Sequence, residues 1–272
     1  MNIQKPFLFV DGSYYIFYRY YATMTWWSKQ DEHKHKEKGK AMSDPSFSEK
    51  YRKMFTTTLK SLMKVHEVPF ENVIIAKDCS RCDIWRNELY KEYKASRDEK
   101  LQTFDSSVFT ETYATILPET GLRVMELNKL EADDIIAILV KHILTKNSDA
   151  DITIITNDND YIQLLKENQK LLIVNLQGKQ IKDRIGDESA IGNYLMKKII
   201  MGDKSDNIPS IMKSCGPKTA ERLSNNPEEL EKVFVKNPAA KIQFELNQKL
   251  IDFDKIPQKL SQVLVTKIDK MI

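Results

Sequence analysis

Aspartates stand at the ends of three short apolar runs. Asp11 closes Phe-Leu-Phe-Val-Asp-Gly, Asp78 closes Val-Ile-Ile-Ala-Lys-Asp, and Asp158 and Asp160 follow Ile-Thr-Ile-Ile-Thr. Carboxylates gathered in one place repel one another unless protons or cations neutralise them. Oxygen donors without His or Cys beside them suit a hard divalent ion, Mg²⁺ or Mn²⁺, rather than zinc. Two further groups extend the set. Glu131-Ala132-Asp133-Asp134 opens a helical pattern, where acids serve as caps favoured by the helix dipole. Glu131 and Asp134 are also spaced to share a face and coordinate one ion. Asp203 and Asp206 lie in Gly202-Asp203-Lys204-Ser205-Asp206-Asn207-Ile208-Pro209, a string that a turn or Asx motif also accounts for.

Cations and aromatics interleave in Trp85-Arg86-Asn87-Glu88-Leu89-Tyr90-Lys91-Glu92-Tyr93-Lys94-Ala95-Ser96-Arg97. Read as a helix, Tyr90, Lys94 and Arg97 lie along one side, with Arg86 a turn earlier. That face suits a nucleic-acid strand through stacking and phosphate contact, or is a surface helix with snorkelling stems. In Cys215-Gly216-Pro217-Lys218-Thr219-Ala220 a Gly-Pro turn starts a helix, aiming backbone N–H groups and Lys218 at a phosphate. An ordinary helix start reads the same way.

These groups need elements to hold them. Phe7–Val10, Val73–Ala76, Ile152–Thr156 and Leu171–Leu176 read as strands buried on both faces of a parallel sheet. Helical patterns lie between them over Ser48–His66 and Glu131–Leu144. Alternating strands and helices predict an α/β fold. Ligands of such open sheets bind outside the carboxyl ends of the strands, which is where the aspartates stand. From about Gly186 no strong strand signal remains, and helices are punctuated by Pro209, Pro217, Pro227 and Pro238. Two units follow: residues 1–185 as the α/β core and 186–272 as a helical region.

Composition sets outer bounds. The 272 residues carry 42 Lys and Arg against 39 Asp and Glu, a formal charge of +3. Setting the nine acids of the groups above aside leaves 30 acids against 42 basic residues, so the remaining surface is basic. No run of about 18 apolar residues marks a membrane helix, and the first residues lack a signal-peptide layout. Three cysteines, Cys79, Cys82 and Cys215, form no even framework, which points to a reduced, intracellular setting in the cytoplasm, the nucleoid or a viral replication site. Lys29–Lys40 is almost wholly charged and reads as an exposed loop, its His33 and His35 as part of a solvated surface rather than a metal site.

The strings in this order resemble the flap endonuclease and 5′-3′ exonuclease family, which includes phage 5′-nucleases such as the T-even phage RNase H. They are Val10-Asp11-Gly12, Asp78, Trp85-Arg86 with Tyr93–Arg97, Glu131–Asp134, Thr156–Leu164, Gly202–Pro209 and Gly216–Ala220. The resemblance implies a PIN-like α/β core with a mainly parallel sheet, a helical arch at about 80–125, and a C-terminal helix–three-turn–helix element that binds DNA. It implies that Asp11, Asp78, Glu131, Asp133, Asp134, Asp158, Asp160, Asp203 and Asp206 hold two Mg²⁺ ions, for which Mn²⁺ can substitute. Lys94 and Arg97 would act on the scissile phosphate. Arg86, Tyr93, Gly216, Lys218 and Thr219 would contact DNA, with a potassium ion at the helix–three-turn–helix in many members. The substrates would be DNA with a 5′ flap or 5′ end, or an RNA–DNA hybrid, met by a monomer away from any membrane, in replication or repair.

The chain departs from the family pattern at Lys213-Ser214-Cys215, where Pro-Gly-hydrophobic is usual, and at Arg19, one residue later than the usual Arg. Two rival readings are an inert structure-specific DNA-binding protein and a PIN-type ribonuclease. The second leaves Gly202–Ala220 and Tyr93–Arg97 without a task.

Overall fold

Apolar residues alternate sides along each central strand, and that alternation builds two cores. The computed structural model describes residues 1–30, 38–96, 104–168, 170–184 and 189–271. Within them β1 (Phe7–Asp11), β2 (Val73–Ala76), β3 (Arg123–Met125), β4 (Ile152–Ile155) and β5 (Leu172–Val174) form one sheet in the order β3-β2-β1-β4-β5. Every neighbouring pair runs parallel, with Val10 level with Ile75 on one side and Ile155 on the other. The chain fills one side of β1 with β2 and β3, then crosses over to β4 and β5. The topological switch point therefore lies beside the carboxyl end of β1, where such sheets bind ligands.

Phe7, Phe9, Ile74, Ile152 and Ile154 face one layer, and Leu8, Val10, Val73, Ile75 and Ile155 the other. The second layer consists mainly of α1 (Gly12–Trp27) and α2 (Pro45–Val65), the latter capped by Asp44, whose carboxylate accepts from Ser46 and Phe47 N–H. The short α3 (Ser107–Glu111) and α4 (Leu117–Thr120) join across a π-helical turn, Thr112–Ile116. On the opposite face lies α5 (Ala132–Lys146), buried around most of its circumference. Beyond the sheet, α6 (Ser189–Met201), α7 (Pro217–Ser224), α8 (Pro227–Lys236) and α9 (Pro238–Ile251) share a smaller core of Ile200, Ile211, Leu223, Leu230 and Ala240. The last helix, α10 (Gln258–Asp269), leaves that group. Its Leu264 and Ile268 join the core under α5, and the Met1 ammonium donates to Met271 O at 2.7 Å.

Four strands stand where the apolar runs place them. The fifth, β3, has only three residues including Arg123, and as an edge strand it needs no continuous apolar run. The helical region expected over 186–272 gives its final stretch, from Phe253, back to the first core.

The described part of the segment, residues 85–96, is not the expected helix. Trp85–Glu88 is a 3-10 turn, and Lys94 has a left-handed φ of 56° that stops helical continuation. Lys94 N–H instead donates to Asp206 O at 2.9 Å, a tertiary bond that outweighs local helical preference. Over 80–125, where an arch is expected, the described residues make 3-10 turns, the π-interrupted helix and β3. Residues 97–103, with Arg97, and residues 31–37, with His33 and His35, lie outside the described residues. No helix among the described residues is long and apolar enough to cross a membrane.

Candidate active site

Asp11 ends β1 and caps α1. Its Oδ1 accepts from Tyr14 N–H at 3.0 Å and its Oδ2 from the Thr156 hydroxyl, at the end of β4, at 3.1 Å. The next residue has to be glycine: a Cβ on Gly12 would lie 2.3 Å from the Tyr113 hydroxyl and 2.5 Å from Ala76 O. Asp78, just past β2, accepts from the Ser13 hydroxyl and from Ala132 N–H, the latter at 2.8 Å, so it ties α1 to the start of α5. Asp158 follows β4 and accepts from Asp160 N–H at 2.9 Å.

These acids share one cavity of about 440 Å³, lined by Asp11, Asp78, Glu131, Asp133 and Asp158 together with Lys94. Burial and Asp78 push the Asp11 carboxyl up to about 7. Burial and Asp160 push Asp158 up to about 6. Asp133 is pushed well above its ordinary value by burial, then by Asp134 and Glu131. Burial and mutual repulsion thus favour the neutral, protonated form of these three acids in the metal-free protein.

Glu131 is the exception, since burial is outweighed by Lys94 and Arg86, which hold it below its ordinary value. Its Oε1 accepts from Lys94 Nζ, while Oε2 accepts from Arg86 Nη1 and the Tyr93 hydroxyl, each at 2.9 Å.

Asp134, expected as a metal ligand, offers an oxygen within 4.8 Å of ligand atoms of Glu131 and Asp133, and it is also held by protein donors. Arg86 grips it through Nη2 to Oδ1 at 2.7 Å and Nη1 to Oδ2 at 2.8 Å. Trp85 Nε1 donates to Oδ2 at 2.9 Å, and Glu131 N–H closes a capping box at 3.2 Å. Asp134 has no exposed surface and lies behind the residues that line the cavity.

The same contacts correct two expected DNA contacts. Arg86 is only 2% exposed and is a buried counter-ion, its Nε donating to Leu250 O at 2.7 Å. Tyr93 is 5% exposed and turns its hydroxyl to Glu131.

A second acidic group lies alongside. Oxygens of Asp160, Asp203 and Asp206 fall within 4.8 Å of one another. The loop that carries two of them closes on itself, Asp203 N–H donating to Ile208 O at 2.9 Å and Ile208 N–H to Asp203 O at 2.8 Å. Gly202, at φ 73°, makes this possible, because a Cβ there would lie 2.4 Å from Ile208 O. Lys198 of α6, which sequence reasoning missed, lies between Asp160 and Asp203, with Nζ 2.8 Å from Asp203 Oδ2. Although burial opposes it, this pairing holds Asp203 down at about 2. Nothing in the sequence separates Lys198 from its neighbour Lys197 on the same helix. Lys94 joins the two groups, its Nζ 3.7 Å from Asp206 Oδ2 as well as bonded to Glu131.

The donor set fits a hard divalent ion. Lys94, Arg86 and Lys198 compensate Glu131, Asp134 and the Asp160–Asp203 pair, whereas Asp11, Asp78, Asp133 and Asp158 crowd one cavity as oxygen donors. That remainder would be relieved by a cation at the switch point, and oxygen ligands select Mg²⁺- or Mn²⁺-like ions.

The remaining expected residues lie on α7. Gly216 is its extended N-cap without a side-chain cap bond, Lys218 is exposed and Thr219 half-buried. Ser214 takes the left-handed conformation, φ 59°, at the place where the family pattern has glycine. Arg19 turns toward α2 and donates to the Thr58 hydroxyl at 3.0 Å.

Residues 6–194 match the family of 5′-3′ exonuclease N-terminal resolvase-like domains, and the chain belongs to that family. A 5′-3′ exonuclease of Buchnera aphidicola subsp. Schizaphis graminum is 28% identical over 247 residues, covering 88% of this chain and 76% of its own. DNA polymerase I of Lactococcus lactis subsp. lactis is 31% identical over 224 residues, covering 78% of this chain but 24% of the polymerase. The structure of the bacteriophage T5 flap endonuclease with DNA and metal ions superposes with a TM-score of 0.67 over 98% of this chain and 99% of that one. At 19% identity that likeness establishes the fold.

Proposed function

We propose that the chain is a metal-dependent, structure-specific 5′ nuclease that hydrolyses DNA phosphodiesters as a flap endonuclease and 5′-3′ exonuclease. The observation that carries this reading is the convergence of Asp11, Asp78, Glu131, Asp133 and Asp158 on one cavity with Lys94 at its wall. Family membership and the names of the relatives support it. Asp11, Asp78, Asp133 and Asp158 would hold one Mg²⁺, for which Mn²⁺ can substitute. Asp160, Asp203 and Asp206 would hold a second in competition with Lys198. Bound ions of this kind supply an activated water and neutralise charge on the leaving oxygen. Lys94 brings a buried ammonium to the cavity, placed to offset charge on the phosphoryl oxygens. Arg97 is assigned the same task from its sequence position.

Arg86 and Asp134 keep Glu131 oriented. Gly216, Lys218 and Thr219 present the start of α7 to a duplex backbone, with a potassium ion at the turn. One chain carries every acid, so a monomer suffices, working wherever DNA is replicated or repaired, at the nucleoid, in the cytoplasm or at a viral replication site.

Labelled 5′-flap, nicked, blunt-duplex and RNA–DNA substrates, each with Mg²⁺ or EDTA, test the reading. Release of short 5′ products from flap and nicked substrates, abolished by EDTA, is expected. Cleavage indifferent to EDTA overturns the metal mechanism. Binding without cleavage makes the chain an inert structure-specific binder, and cleavage confined to RNA makes it a ribonuclease.

A further inference from the structure

The turn that sets Arg86 against the acids ends on an apolar side chain left in solvent. Leu89 is 44% exposed, although Trp85 and Arg86 just before it are buried. With Trp85, Pro257 and Leu260 it lines a cavity of about 530 Å³. No residue lining this cavity lines the acidic one. Its wall is held firmly. Trp85 N–H donates to Lys129 O at 3.0 Å, its Nε1 donates to Asp134 at 2.9 Å, and Lys129 takes a left-handed φ of 73°.

Apolar side chains around a concavity suit an apolar group, and the charges beside them set what that group is attached to. Four lysines, Lys129, Lys249, Lys255 and Lys259, line the same cavity against one acid, Glu88. Glu88 is taken by Lys129, Nζ to Oε1 at 2.6 Å. Lys249, Lys255 and Lys259 are exposed and make no ion pair among the described residues. Helix α10 starts at the same place. Pro257 is its N-cap without a side-chain cap bond, and no acid stands in its first turn. The start of the helix therefore adds its own preference for an anion to that of the lysines.

We propose that this cavity docks an acidic peptide segment of a partner protein. One aliphatic or aromatic side chain of the peptide seats against Leu89, Pro257 and Leu260, and neighbouring carboxylates meet Lys249, Lys255 and Lys259. A nucleic-acid backbone would satisfy the lysines but leave the apolar surface uncovered. Trp85, only 4% exposed, offers no free ring face on which a base could stack.

The probe is a fluorescein-labelled peptide, Glu-Asp-Glu-Asp-Gly-Leu-Phe, titrated with the full chain and followed by fluorescence anisotropy at low ionic strength. Saturable binding that weakens as salt is added is expected. Leu89→Glu, and Lys255→Glu combined with Lys259→Glu, should each weaken it about tenfold or more. Two altered peptides make the same test on the unaltered protein: one with Ser-Ser in place of Leu-Phe, the other with Gln and Asn in place of the acids. Each should also bind about tenfold more weakly or worse. Absence of saturable binding by the wild type, or equal binding of the altered peptides, overturns the proposal. Displacement of the probe by unlabelled duplex DNA, with an equal loss of duplex affinity in the lysine variant, assigns this face to nucleic acid and overturns it too.

Discussion

Replacing Arg86 with Met is the most severe single test of how the acids are held. The guanidinium makes four hydrogen bonds, to Glu131 Oε2, to both Asp134 oxygens and to Leu250 O, between 2.7 and 2.9 Å. Its face also lies over the Trp85 ring at 4.6 Å. Methionine restores much of the stem packing but leaves the buried Asp134 carboxylate without its cation and takes a donor from Glu131, which keeps Lys94 and Tyr93, and from the Leu250 carbonyl. Breaking a buried pair from one side costs about 3–5 kcal/mol. In a chain of this length each kcal/mol moves the melting temperature by about 2–4 °C.

The assay is urea unfolding in EDTA, followed by circular dichroism, first at pH 7 and then at falling pH. Glu131 is held below its ordinary 4.5, so the stability it contributes is present above that pH and is lost as pH falls further. The variant keeps the Lys94 part of that contribution and loses the Arg86 part, so the gap between the two proteins should narrow below about pH 4.5. Adding Asp134→Asn to Arg86→Met should recover part of the loss by removing a stranded charge. A loss under about 1 kcal/mol, the scale of an exposed pair, would refute the reasoning. Weakened duplex binding at unchanged stability would instead return Arg86 to the DNA surface.

Other outcomes follow from the same geometry. Lys94→Ala should lower single-turnover cleavage by about 10²-fold or more while duplex affinity measured in Ca²⁺ changes little, because its ammonium faces the cavity; equal losses in both would reduce Lys94 to a binding residue. Gly202→Ala should cost about 2–4 kcal/mol in urea unfolding, since its Cβ would lie 2.4 Å from Ile208 O at a left-handed φ of 73°; a neutral effect would mean that the Asp203–Asp206 loop relaxes freely. Asp11 and Asp158 are raised from 3.8 to about 7 and about 6, so their neutral burial favours the fold at low pH and that contribution fades as pH rises through those values. The metal-free protein should therefore lose melting temperature between about pH 4 and 7. At pH 7 a divalent ion at 100 times its Kd should restore about 2.7 kcal/mol, and melting curves that ignore both pH and Mn²⁺ would contradict the carboxylate crowding.

The parts of this architecture that are legible from sequence are those set by neighbours along the chain. Four strands show as apolar runs because both faces of the sheet are covered, and the aspartates show because they follow those runs directly. What stays hidden is set by partners far away. Nothing near Asp134 in sequence shows that Arg86, 48 residues earlier, donates to both its oxygens. The pattern of residues 85–97 suits a helix, yet the bond from Lys94 N–H to Asp206 O turns its backbone left-handed. Lys198 carries no signal of its own because its two acids lie on other elements, the 3-10 segment after β4 and the loop after α6.

The central claim is that the acids at the carboxyl ends of β1, β2 and β4 form a metal site that drives hydrolysis. Asp78→Asn tests it most directly, because the change keeps the acceptor atom facing Ala132 N–H while removing a charge from the cavity. Single-turnover cleavage of a 5′-flap substrate is to be measured against Mg²⁺ concentration for both proteins, beside Mn²⁺ titrations without DNA. The account predicts saturable Mn²⁺ binding by the wild type, weakened at least tenfold in the variant, and a fall in cleavage of about 10²-fold or more. Wild-type cleavage rates and ion affinity in Asp78→Asn would contradict it.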